Sequence, residues 1–211
     1  MDKCVIFAGG EMKDFSCVNM TEISKSFVIC ADKGYDYAKK LGIKPDLIVG
    51  DFDSLENLPE NSQNLRKYPC EKDDTDLMLA VRYAVEHKIS RITIYGALGG
   101  RLDHTLGNIQ TLAFICENGG IGRIVSENED CVMLFPGKYA FEKRENYSLS
   151  LLSYSEKVEG LTIKGAKYTL ENGEISNTFP IGISNEITAE NCEISFQCGK
   201  LLVIQSKLSP N

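Results

Sequence analysis

The stretch SFVICADKGYDYAKKLGIKPDLIVGD (26–51) decides the fold. Two short runs, FVICA and DLIV, are strand-length, rich in Val and Ile and almost free of polar interruptions, as strands buried on both faces are. Between them YDYAKKLG (35–42) reads as helix closed by glycine and followed by Pro45. Strand, helix and strand within so few residues is the unit of a parallel sheet. The same alternation extends in both directions. CVIFAGG (4–10), ISRITIYG (89–96) and GRIVSE (122–127) are further buried-strand runs. TDLMLAVRYAVEHK (75–88) repeats Leu77, Ala80/Val81 and Ala84/Val85 at helical spacing; HTLGNIQTLAFICENGG (104–120) repeats Leu106, Ile109, Leu112/Ala113 and Cys116. Asp103 is placed to cap that last helix and Gly119-Gly120 to end it. Residues 11–25 and 54–71 read as loop with short helix. The expectation is a parallel-sheet, three-layer α/β/α domain.

Beyond about residue 129 the pattern changes. VMLF, YAFE, YSLSLLSY, LTIK, KYTL, ISFQ and KLLVIQS are short strands separated by the turn signals PG (136–137), ENGE (171–174) and CGK (198–200). No helical period of useful length occurs there, so this part reads as an antiparallel β-sandwich. The expected domains are 1–130 and 131–211.

Composition limits what such a chain does. With 211 residues, 30 Asp+Glu against 23 Lys+Arg and a formal charge of -7, it lacks the basic excess of a nucleic-acid or anionic-membrane binder. No apolar run approaches the length of a membrane span, and the start does not read as a signal peptide. The 8 cysteines form no CxxC pair and several sit within apolar runs. They read as reduced thiols of a cytoplasmic protein, and with His87 and His104 as the only histidines a Cys/His metal cluster is disfavoured.

The acidic excess is concentrated. All 12 Asp lie at or before Asp130. Asp32 follows FVICA, Asp51 and Asp53 follow DLIV, Arg101 and Asp103 follow RITIY, and Asp73, Asp74 and Asp76 open a helix. In an open parallel sheet the ligand crevice lies outside the carboxyl ends of the strands, so separate loops deliver carboxylates to one edge. Clustered like charges need a counter-ion, and carboxylates without His or Cys suit Mg²⁺ bridging a substrate phosphate. GALGGRLDHT (96–105) puts glycines and Arg101 between a strand and a helix, an arrangement that turns backbone N–H groups and a guanidinium toward an anion. No P-loop or dinucleotide fingerprint is present.

Each residue taken alone also fits a structural role. Asp73, Asp74, Asp76 and Asp103 suit helix starts, GDFDS and Gly9-Gly10 suit turns, Lys33 and Lys72 suit a solvated surface, and His104 suits a local hydrogen bond. Their coincidence at one sheet edge is what those roles leave unexplained.

ADKGYDYAKKLGIKPDLIVGDFDS (31–54), KDDTDL (72–77), GALGGRLDHTLGN (96–108) and GISNE (182–186) together resemble the ordered motif set of the bacterial thiamine pyrophosphokinases. The resemblance implies a homodimer that transfers the pyrophosphoryl group of ATP to thiamine with AMP as the other product. It implies Asp32, Asp51, Asp53 and Asp76 as Mg²⁺ and phosphate ligands, and Thr75, Arg101, Asp103 and Asn108 around the nucleotide. It implies Ser184, Asn185 and Glu186 at a thiamine site in the subunit interface. Asp73, Asp76 and Arg101 are the expected catalytic groups, with Asp73 or another motif carboxylate as base. Two departures stand out: ADKG replaces the Asp-Gly-Gly of many members, and no tryptophan is available to stack on thiamine. The residues alone also admit another Mg²⁺-dependent phosphohydrolase or nucleotidyltransferase, or a binding protein without turnover.

Overall fold

The computed structural model describes residues 2–50, the backbone of 65–67, and 74–209. The expectations for Asp51, Asp53 and Asp73 lie outside the described residues. The chain divides into two compact units, Met1–Glu127 and Asn128–Asn211.

The first unit contains strands β1 (Lys3–Phe7), β2 (Phe27–Ala31), β3 (Leu47–Gly50), β4 (Leu65–Lys67), β5 (Arg91–Tyr95) and β6 (Ile121–Val125). Its helices are α1 (Met20–Ile23), α2 (Gly34–Lys40), α3 (Asp76–Glu86) and α4 (Leu102–Glu117). The strands run in the order β4-β3-β2-β1-β5-β6, and each adjacent pair is parallel. Both faces are covered, which is why the strands lack polar alternation. Val5, Phe7, Val28, Cys30 and Tyr95 pack with Ile23 of α1 and Ala38 of α2. Strand alternation turns Cys4, Ile6, Ile29, Ile92 and Ile94 to the opposite face, and these too are buried. The helical spacing of α3 is realised as a buried stripe of Leu77, Ala80, Val81 and Ala84. Full burial of each larger aliphatic side chain contributes about 1.5–3 kcal/mol.

Three details of this unit differ from the sequence reading: residues 65–67, within a stretch read as loop with short helix, form β4. Helix α4 begins at Leu102 with Arg101 as its N-cap residue, so Asp103 lies in the first turn and does not cap. Leu106, expected in the apolar stripe, is 54% exposed; only the later part of α4 buries residues, from Thr111 to Cys116. The opening turns of α4 line a cavity and bury none of their residues.

The second unit contains β7 (Glu129–Leu134), β8 (Gly137–Glu142), β9 (Tyr147–Ser153), β10 (Lys157–Lys164), β11 (Leu170–Ser176), β12 (Asn191–Phe196) and β13 (Leu201–Lys207). They form two antiparallel layers, β7-β13-β9 and β11-β10-β12-β8. Leu149, Leu151 and Val203 of the first layer pack with Leu161, Ile163, Cys192 and Ile194 of the second. The α/β unit followed by a sandwich is the fold expected from the sequence. ENGE is not a turn, however: it lies inside β11, where Asn172 has φ 46° and the pairing with β10 slips between Gly173 and Leu170. Its Asn and Gly serve a β-bulge, which asks for the same left-handed conformation as a turn. The Asn172 N–H recovers a partner in Thr162 Oγ1 at 3.0 Å.

Candidate active site

The strand order of the first unit reverses direction between β1 and β5, and a crevice opens outside the carboxyl ends of strands at such a point. Beneath it the Phe7 and Tyr95 rings stack at 5.6 Å between centroids. Over these rings the two loops are fastened together: Ala8 N–H donates to Tyr95 O and Gly10 N–H to Gly96 O, each at 2.8 Å. Tyr37 adds a brace by donating its hydroxyl to Gly10 O at 2.7 Å. No side chain fits where these loops meet, since a Cβ at Gly10 would lie 2.5 Å from Gly96 O and one at Gly96 2.6 Å from Ala8 O.

A cavity of about 410 Å³ occupies this position, within the roughly 300–1,000 Å³ of small-molecule sites. Gly9, Gly10 and Glu11 line it after β1, Asp32 after β2, and Gly96, Gly99, Gly100 and Arg101 after β5. Thr75 and Asp76 line it at the start of α3; Asp103, His104 and Asn108 do so from α4. The predicted Asp32, Thr75, Asp76, Arg101, Asp103 and Asn108 are therefore brought together at one sheet edge.

Local structure explains each placement. Asp32 has φ 46°, a left-handed conformation that Asp tolerates better than most residues, and it turns the chain off β2 at the sheet edge. Its N–H is tied to Val49 O at 2.9 Å. Thr75 is the N-cap of α3 and accepts from Met78 N–H at 3.2 Å, so it, and not Asp74, does the capping. Asp74 is engaged by Arg82, with Nε–Oδ2 at 2.8 Å. Gly96, Gly99 and Gly100 all have φ between 68° and 85°, and Asn108 pins their loop by donating to Ala97 O at 2.7 Å.

Arg101 forms a two-point pair with Asp103, Nε–Oδ1 at 3.1 Å and Nη2–Oδ2 at 2.5 Å. The hydrogen bonds from Arg101 hold the Asp103 carboxyl below the usual carboxylate range, and the carboxylate raises the guanidinium in turn. The pair is solvent-facing and its role is orientation more than stability. Among the described residues no group of three or more His, Cys, Asp and Glu is set to hold a metal. Asp32 and Asp76 are nonetheless two hard oxygen donors in one cavity.

Sequence reasoning missed Glu11 and treated Gly9-Gly10 as an ordinary turn. The glycine pair directly after the first strand was visible, but its place at the crevice follows only from the strand order, which sets β1 beside β5.

The GISNE residues belong to the second unit. Asn185 is 6% exposed; its Oδ1 accepts from Tyr168 N–H and Glu186 N–H, both at 2.9 Å, and its Nδ2 donates to Tyr168 O at 2.7 Å. Its backbone also exchanges hydrogen bonds with Leu149. Ser184 has φ 59° and its N–H donates to Ser150 Oγ at 3.1 Å. Glu186 is exposed, with Lys167 Nζ at 3.8 Å. Phe179, Ile181 and Ile183, just before them, are 65%, 67% and 51% exposed.

A doubly wound unit with glycine loops, carboxylates and an arginine at its switch point, followed by a sandwich, is the chain of a nucleotide-dependent transferase of the kinase class. Residues 20–121 match the family model for the thiamin pyrophosphokinase catalytic domain, and residues 138–201 match the one for its vitamin B1 binding domain. Thiamine pyrophosphokinase of Bacillus subtilis is 37% identical over 84% of this chain and 86% of its own. The crystal structure of a Bacillus subtilis thiamine pyrophosphokinase superposes with a TM-score of 0.83 at 34% identity, covering 97% of this chain and 99% of that one. The Geobacillus thermodenitrificans thiamin pyrophosphokinase structure does so at 0.83 and 30%, over 98% of each chain. The chain belongs to the thiamine pyrophosphokinase family.

Proposed function

We infer that the switch-point cavity takes ATP with Mg²⁺ and that the chain transfers the pyrophosphoryl group of ATP to thiamine, giving thiamine diphosphate and AMP. The observation that carries this is the convergence of Asp32, Asp76, Arg101 and the two glycine loops on one cavity in a chain of this family. In the transfer, thiamine's primary hydroxyl attacks the β-phosphorus, the bond from that phosphorus to the oxygen shared with the α-phosphate breaks, and AMP leaves with the electron pair. Catalysis of such a step is mainly positioning and charge stabilisation.

The carboxylates of Asp32 and Asp76 suit Mg²⁺ chemically, since that ion is commonly held by one or two carboxylates together with substrate phosphates; Asp51 and Asp53 are proposed to complete the set. When bound, Mg²⁺ would supply positive charge that offsets the phosphates' negative charge. Arg101, held flat by Asp103, faces the charge that builds on the transferring and leaving oxygens, and the amides of the loop it follows add to it. Thr75 and Asn108 fix the loops around the nucleotide. Asp73, or another carboxylate of KDDTDL, takes the hydroxyl proton.

Thiamine is proposed to meet Ser184 and Glu186 at a subunit interface, with Asn185 fixing their turn; its cationic thiazolium suits acidic surroundings. The exposed apolar side chains at 179, 181 and 183 beside that turn support a homodimer. A cytoplasmic location is supported by the thiols: none of the described cysteines is in a disulfide, and burial pushes Cys131 up to about 12 and Cys192 up to about 11, away from the reactive thiolate. Among the described residues no helix is long and apolar enough to cross a membrane.

One experiment tests the whole reading: incubation with ATP, Mg²⁺ and thiamine, separation of the nucleotides, and light scattering on the same sample. The expected result is AMP and thiamine diphosphate from a dimer. ADP or phosphate formed without thiamine would move the assignment to another phosphotransfer enzyme, and a fully active monomer would remove the shared site.

A further inference from the structure

We propose that Lys33 is a phosphate-binding residue for ATP, supplying a second cation on the side of the cavity formed by the loops after β1 and β2. The proposal deepens the reading above and rests on its assignment of the cavity to ATP.

Placement comes first. Lys33 follows the left-handed turn at Asp32 and occupies the N-cap position of α2 with φ -56°. Its side chain makes no capping hydrogen bond. A carbon built on Gly9 would meet Lys33 Cβ at 3.4 Å and Asp32 Oδ2 at 3.7 Å, so the stem of Lys33 starts against a residue that lines the cavity. From there a flexible four-carbon stem carries the ammonium. The residue is exposed, and among the described residues its ammonium enters no ion pair or hydrogen bond. Other lysines of α2, Lys39 and Lys40, sit in its last turn, away from the cavity.

Charge gives the reason. The described lining contains the carboxylates of Glu11, Asp32, Asp76 and Asp103 and one guanidinium, that of Arg101, which is closed on Asp103. A polyphosphate entering among these carboxylates meets repulsion that one already paired arginine does not offset. A divalent ion covers part of the deficit, and a lysine acts on phosphate as a mobile point charge. Lys33 does not itself line the cavity, but its Cβ sits beside Gly9, which does, and its stem is long enough to turn the ammonium inward.

The test is calorimetric titration of the full chain with a non-hydrolysable ATP analogue plus Mg²⁺, and separately with adenosine. Wild type is compared with Lys33→Met, Lys33→Gly and Lys33→Arg, with thermal melts confirming the fold. The Met and Gly variants should bind the analogue about tenfold more weakly, the scale of one charge-assisted hydrogen bond. Lys33→Arg should stay within about threefold, and adenosine should bind all four alike. Unchanged analogue binding in the Met and Gly variants overturns the proposal, and so does a parallel loss of adenosine, which would mark Lys33 as shaping the pocket. Wild type that forms no thiamine diphosphate and AMP would overturn the functional reading itself, a result distinct from active enzyme with indifferent Lys33 variants.

Discussion

Asn108 and Asn185 sit in motif segments of the two units, and both donate a side-chain amide to a backbone carbonyl at 2.7 Å. Asn108 spends one bond on Ala97 and lies in the wall of the cavity. Asn185 is buried and spends its amide group three ways within its own turn. A motif match thus selects two different things. In the first unit it selects side chains that face a ligand space. In the second, at Asn185, it selects a side chain that holds the backbone on which Ser184 and Glu186 are presented.

That contrast is open to attack from both ends. Asp32→Asn should strike it hardest: removing a charge from the cavity while keeping shape and backbone should cut turnover by roughly 10²-fold or more, with the thermal midpoint nearly unmoved. Near-normal AMP formation would show that the first unit's motif is also structural. Asn185→Ala should do the reverse, lowering stability by about 2–4 kcal/mol because three partners in a buried turn lose their hydrogen bonds. Denaturant unfolding measures it, with ATP-analogue affinity as the control; lost turnover at unchanged stability would make Asn185 a direct ligand residue. Thr75→Ala has the smallest expected effect, about 1 kcal/mol from the lost cap. Any fall in ATP affinity larger than that loss would promote Thr75 from cap to contact.

How much of this was legible in the sequence follows from which rules act locally. The strand–helix alternation and the α3 stripe of Leu77, Ala80, Val81 and Ala84 depend on periodicity, and periodicity is written in the chain. Leu106 misled because its period is right but it lies in the opening part of α4, which buries none of its residues, a fact of tertiary placement. ENGE misled because bulges and turns ask for the same residue types. At the site, Asp32, Asp76 and Arg101 announced themselves through their position after strands and before helices. Glu11 did not, since only the strand order, with β1 and β5 side by side, makes the loop after β1 part of the crevice. Asp103 is not the N-cap because α4 already begins at Leu102; its carboxylate takes Arg101 and the His104 N–H instead.

The fastening of Gly10 to Gly96 bears on how this cavity can be altered by mutation. The atoms that exclude a side chain at either position are backbone oxygens of the opposing loop, so no compensating substitution in a neighbour makes room. Routes to a changed ligand preference that pass through the cavity floor are closed at the first step. Those that remain lead through the helical wall, most freely at His104, whereas Thr75 and Asn108 also carry the α3 cap and the bond to Ala97 O. A change of specificity on this scaffold is accordingly a matter of redecorating α3 and α4 over a floor with no room for a side chain at Gly10 or Gly96.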